Sequence, residues 1–321
     1  MKKSSLGSLL FTGALLAALI YAGFNAQGIY DWLVLQTYDP PAEIEEYADE
    51  TRLSDYGRRI LYVAKPSLSS PADFNDECPF AEDDRVLGCF DGVRIYILDV
   101  EEPKLEDVEP VTAVHEMLHS AYKRLSGRER SRIDELLLQQ QRELDDPELD
   151  SLIETYREDD ETSVITELYA RFATEYQELI PELEEHYSQY FDDRSAVVAL
   201  HAGYQQVFDD IDNKIDRLSK ELEKLKTDIN NLEDDLESQR AKVDNINEQL
   251  NQHLEDDNIS AYNALIPTQN QAVRTYNATL AAFKSKITQH NNKADTYNET
   301  LLYKKDLVNS IDSNFQEAQA Q

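Results

Sequence analysis

From Ile211 onward an apolar residue recurs at alternating steps of four and three: Ile211, Ile215, Leu218, Leu222, Leu225, Ile229, Leu232 and Leu236, with Val243, Ile246 and Leu250 in the same register. Only Gln239 interrupts the series. That mean step is a heptad seam with charged flanks, and it requires a long helix whose apolar stripe is covered along its length by another helix. A second seam follows through Ile266, Val273, Tyr276, Leu280, Phe283, Ile287, Ala294, Tyr297, Leu301, Val308, Ile311 and Phe315. The break at 255–261 between seams of similar length predicts an antiparallel coiled-coil hairpin over 204–321. Two parallel chains in a homodimer is the rival arrangement, and a coiled-coil partner or homo-oligomer stays open. Pro267 is expected in the first turn of the second arm, where its missing N–H costs no helical hydrogen bond.

At the other end, Lys2 and Lys3 precede an uncharged run from Ser4 to Gln27, most apolar over Leu6–Phe24. At 1.5 Å per residue this stretch nearly crosses a hydrocarbon core of about 30 Å. A cleaved signal peptide is the alternative, but cuts after Ala22 or Ala26 place the bulky Ile20 or Phe24 three positions before the cut. Ile29, Trp32, Leu33, Val34 and Leu35 continue the apolar character to an interface. The expectation is a single-pass cell-membrane anchor over 1–36, with the N-terminus cytoplasmic and the remainder extracytoplasmic in a bacterial envelope. Cys78 and Cys89, the only cysteines, then lie in an oxidising setting and are expected to form a local disulfide.

The net charge is −33, from 64 acidic and 31 basic residues. A surface so acidic repels phosphates, so nucleic acid is excluded as a partner.

Between the anchor and the hairpin, residues 37–203 read as one α+β domain. RRILYVAKPSL (58–68) and VRIYILDV (93–100) are rich in β-branched and aromatic residues and predict strands. Helices are expected over about 109–125, 128–144, 147–157 and 162–180, the last stopped by Pro181.

The third of these regions of chemistry is VTAVHEMLHSAY, Val111–Tyr122. Residues four apart share a helix face, so His115 and His119 can offer two imidazoles to one ion, and Glu116 is one step round. This is the HExxH pattern, whose spacing suits zinc with a glutamate as general base. Thr112-Ala113-Val114 before it and Ser120-Ala121 after it are uncharged, as are Met117 and Leu118 within.

On these residues the stretch resembles the zincin metallopeptidases. His119 is followed by Ser120, Ala121, Tyr122, Lys123 and Arg124, with neither the glycine nor the third histidine of the metzincin branch. The resemblance is to compact gluzincins, which take a third ligand from a glutamate on a later helix. It covers about 58–180, implies a small zincin-like metallopeptidase domain and Zn2+, and implies Glu167 in TELYARFATEY as the third ligand, with Ala170 small one turn on. Glu161 and Glu175 are rivals for that role. Arg171 stands where larger gluzincins carry an aspartate. Glu116 is the implied catalytic base, Tyr122 a possible oxyanion stabiliser beside Tyr169, Tyr176 and His186, and VRIYILDV either an edge strand for an extended substrate or an interior strand.

Two functions follow as expectations. One is a membrane-anchored zinc endopeptidase acting on extracytoplasmic peptides or proteins. The other is an envelope scaffold working through its coiled coil, with an inactive or structural zinc module. The acidic 37–57 segment as a cover over the cleft is a third arrangement.

Overall fold

A computed structural model of the chain describes residues 26–79, 86–144, 146, 147, 149, 150, 153 and 161–320. It resolves into two compact units, one of residues up to Val207 together with those from Val308, the other Phe208–Leu307.

In the first unit, α1 (Ala26–Leu35), α2 (Ala42–Glu50) and α3 (Asp55–Val63) precede β1 (Ser67–Ser69), α4 (Pro71–Glu77), β2 (Gly88–Phe90) and β3 (Ile95–Leu98). A 3-10 turn at Pro103–Leu105 leads into α5 (Val108–Arg124), α6 (Gly127–Leu144), α7 (Glu161–Glu175) and α8 (Pro181–Tyr187). Helix α9 (Ser195–Glu255) starts here and runs on into the second unit. The sheet order is β1-β3-β2, with β1 parallel and β2 antiparallel to β3. All four residues of β3 are buried, as a central strand requires. The disulfide Cys78–Cys89 ties the end of α4 to β2.

The strand expected at 58–68 is mostly helix. Ser54 caps α3 by accepting the Gly57 N–H at 3.1 Å, and Gly57, Ile60, Leu61 and Ala64 are buried at helical spacing. That periodicity outweighs the local β-propensity, leaving only Ser67–Ser69 as strand. Helix α7 stops at Glu175 rather than 180, and Pro181 begins α8 instead of merely ending its predecessor, since proline suits a first helical turn. Most of the expected 147–157 helix lies outside the described residues.

No helix among the described residues is long and apolar enough to cross a membrane. This overturns the expected single-pass cell-membrane anchor over 1–36 and the localisation drawn from it. Its described part, α1, has 10 residues, about 15 Å of helix against a hydrocarbon core of about 30 Å. Asp31 and Val34 on it are buried, and Asp31 stands 3.6 Å from Arg124 at the end of α5. Residues 1–25, which carry the rest of the expected span, lie outside the described residues.

The second unit is a helical hairpin of α9 and α10 (Ile259–Ser310), turning at 256–258 with Asp257 at φ 51°. Ile211, Leu218, Leu225, Ile246 and Leu250 of the seam are buried. Asp212, Glu221 and Asp228 pair with Lys304, Lys293 and Lys286, ascending on one arm as they descend on the other, so the arms are antiparallel within one chain. These pairs are about a third to a half exposed and add little beside the apolar seam. Pro267 lies inside α10 rather than in its first turn; packing along the seam carries the helix past the missing hydrogen bond. The chain closes with α11 (Ser313–Ala320), back in the first unit, where Ser313 donates to Asn75 of α4 at 2.6 Å.

A Cβ on Gly57 would stand 2.2 Å from the Tyr190 carbonyl oxygen. Gly57→Ala is therefore expected to destabilise the first unit by about 1–3 kcal/mol. Differential scanning calorimetry should show its transition lowered, with the hairpin transition unmoved.

Candidate metal centre

Helix α5 has one face in the core and the other on a cleft. Val108, Val111, Ala113, Val114, Met117, Leu118 and Ala121 are buried. Its first turn is pinned by Glu109, whose carboxylate accepts the Tyr47 hydroxyl and the Val100 N–H, the latter at 2.7 Å. The other face carries His115 and His119, whose rings lie 4.9 Å apart at 70°. Both line a cleft of about 890 Å3.

The donor atoms of His115, Glu116 and His119 lie within 4.8 Å of one another, a group that can hold a metal ion. Helix α7 crosses α5, with Ala170 and Ala173 fully buried on it. It brings Glu167 Oε2 to 3.5 Å from His115 Nε2 and 3.6 Å from His119 Nε2. Tetrahedral ligands with bonds of 2.0–2.1 Å are separated by about 3.3 Å. Both distances from this oxygen to the imidazole nitrogens are close to that separation.

Glu116 is itself buried and lies under the edge strand. A Cβ on Gly88 would come within 2.5 Å of Thr112 Cγ2 and 3.0 Å of Glu116 Cγ, so only glycine lets β2 approach α5 this closely. The Phe90 N–H donates to the Glu116 carboxylate. Strand β3 is interior, the second of the two arrangements open for VRIYILDV, and β2 is a sheet edge that lines the cleft.

The electrostatics follow from burial and from one carboxylate. Burial alone lowers the His115 imidazole, but Glu167 outweighs it and the pKa rises to about 9. His119 is pushed down to about 4 by burial and by the His115 charge. Burial also raises carboxyls, yet His115 and His119 hold Glu167 near 2. Burial lifts Glu116 to about 7, with the His115 charge and the Phe90 N–H only partly offsetting it and Glu167 adding to it.

The other expected site residues fall elsewhere. Glu175 lines the cleft but pairs with Arg171 at 2.8 Å. Glu161 is the first residue of α7, six positions before Glu167 and off its face of the helix. Tyr122 lines the cleft, but its hydroxyl donates to Asp134 at 2.7 Å, which leaves it no proton for an oxyanion in this arrangement. Tyr169 is fully buried, its hydroxyl 2.8 Å from His186 Nε2. Tyr176 donates to Asp146 at 3.2 Å. The cleft is also lined by Lys123, Arg130 and Tyr204, to which the sequence assigned no role. His201 packs edge-on to Tyr204 at 5.1 Å, and burial with the nearby Glu175 pushes Tyr204 up to about 12.

No family model, no curated protein and no solved structure matches the chain. The site's own geometry has to carry the functional reading.

With its pKa at about 9, His115 is protonated at pH 7.5 in the metal-free protein. A metal needs the neutral ring, so binding should release about one proton. Calorimetric titration of zinc in buffers of different ionisation enthalpy reads that number, and it should fall toward zero above pH 9.

Proposed function

We propose that the chain is a zinc-dependent metallopeptidase of compact gluzincin type. The observation that carries this reading is the single Glu167 oxygen placed almost equally far from both histidine nitrogens of the HExxH helix. In this reading His115, His119 and Glu167 hold zinc. Zinc held by three protein groups acidifies water toward pKa about 7 and polarises a carbonyl. Glu116 accepts the proton of the attacking water and returns it to the departing amine. The Phe90 N–H keeps its carboxylate aimed, and the exposed side of β2 suits an extended peptide chain.

A second reading makes the hairpin the working part, with zinc purely structural. The long buried seam of 208–307 favours it. Against it stands the three-ligand set of His115, His119 and Glu167, since structural zinc sites are almost always closed by four protein ligands and catalytic ones keep a position open.

Zinc content and casein cleavage of the full chain distinguish the two. Glu167→Gln should weaken zinc binding by more than the roughly 10–100-fold that loss of an outer-shell partner costs. Glu116→Gln should keep the zinc and lose roughly a thousandfold in kcat/KM. A zinc-loaded wild type with no cleavage, matched by an unchanged Glu116→Gln, would leave only the structural reading.

A further inference from the structure

The cleft contains three cationic side chains, and they are not equivalent. Arg171 is neutralised by Glu175 at 2.8 Å and Glu167 at 3.8 Å. Lys123 and Arg130 differ: no carboxylate among the described residues forms an ion pair with either. Lys123 Nζ donates to the Gly92 carbonyl at 2.7 Å and sits 5.7 Å from the centre of the Phe90 ring. Arg130 Nη2 donates to the Lys123 and Tyr122 carbonyls at 3.2 and 3.4 Å, and its guanidinium lies 5.1 Å over the Tyr122 ring. Two acids of the same region have other hydrogen-bond partners. Asp91 accepts the Val93 and Arg94 N–H groups at 2.7 Å, and Asp134 holds the Tyr122 hydroxyl.

The position of the pair is as informative as its charge. His115, His119 and Lys123 follow one another at steps of four on one face of α5. Lys123 therefore lies about 6 Å beyond His119 along the helix, at the Gly92 end of the edge strand. That distance is about two residues of an extended chain. In a protein with 64 acidic and 31 basic residues, two cations without carboxylate partners at one end of the cleft stand out against their surroundings. Neutral hydrogen bonds to carbonyls leave their charges uncompensated, and a carboxylate is the group that compensates them.

We propose that Lys123 and Arg130 form an anion-binding subsite that selects peptides carrying a carboxylate about two residues from the scissile bond. The carboxylate is an acidic side chain or a free C-terminus. The proposal rests on the peptidase reading for the word substrate, but the subsite itself is tested by binding alone.

The test uses the zinc-loaded full chain carrying Glu116→Gln and short dye-labelled alanine-rich peptides, read by fluorescence anisotropy. In one set a single Glu or Gln is scanned through an amidated peptide; in the other, a peptide without acidic side chains ends in a carboxylate or an amide. The expected result is a preference for one carboxylate-bearing peptide of roughly tenfold or more, shrinking as salt is added. Adding Lys123→Gln or Arg130→Gln should cut it to within about twofold, while Lys284→Gln on the hairpin leaves it intact. A Glu-dependent preference identifies an acidic side chain; a terminus-dependent one identifies the C-terminal carboxylate. Equal binding of all peptides, no binding of any, or a preference that survives both substitutions overturns the subsite. Cleavage by zinc-loaded wild type is followed in parallel: cleavage without carboxylate preference sinks the subsite alone, whereas carboxylate-dependent binding without cleavage sinks the peptidase reading and leaves the subsite standing.

Discussion

Helices α5 and α7 pack against one another, and Ala113, Met117, Leu118 and Ala121 of the first and Leu168, Ala170, Phe172 and Ala173 of the second are all buried in one core. Burying a large apolar side chain is worth about 1.5–3 kcal/mol. Met117, Leu118, Leu168 and Phe172 therefore supply on the order of 6–12 kcal/mol by that figure, enough to offset the several kcal/mol of desolvating an ionised carboxylate. Glu167 is held among the histidines because the helix beneath it is held. The alanines matter as much as the large residues, since they set how closely α7 approaches α5.

The edge strand is the second fixed wall, and it is held by different means. Strand β2 has only three residues, too few to hold a position by pairing alone. The Cys78–Cys89 bridge anchors it to α4, and the absent side chain of Gly88 lets it settle onto Thr112 and Glu116. The Phe90 N–H then meets the buried Glu116 carboxylate. The acid between two histidines is thus gripped from a strand far from it in sequence.

Some of this was legible in the residues because its cause is local. The HExxH face of α5 depends only on helical period, and the hairpin only on two heptad seams separated by a break. The disulfide followed from having two cysteines close together. Other parts were misread because a longer-range effect won. RRILYVAKPSL has strand-like residues, yet a Ser54 cap and a helical stripe of burial made it α3. Pro267 sits well inside α10 because the opposing arm sustains the helix. The apolar 26–35 stretch is a short helix with Asp31 facing Arg124. Tyr122 was rightly placed on the cleft, but its hydroxyl is taken by Asp134 from α6, a pairing no spacing rule indicates.

The sequence by itself determined which residues share a helix face: His115 with His119, and the alternating apolar positions from Ile211 to Leu250. Such relations are set by the 3.6- and 3.5-residue periods and survive in any context where the helix forms. The tertiary structure alone decided which of Glu161, Glu167 and Glu175 meets the histidines, which strand is the edge, and which cleft cations are left without a carboxylate. Those depend on how close α7, β2 and α6 come to α5, and that distance is set by packing among residues scattered over the whole first unit.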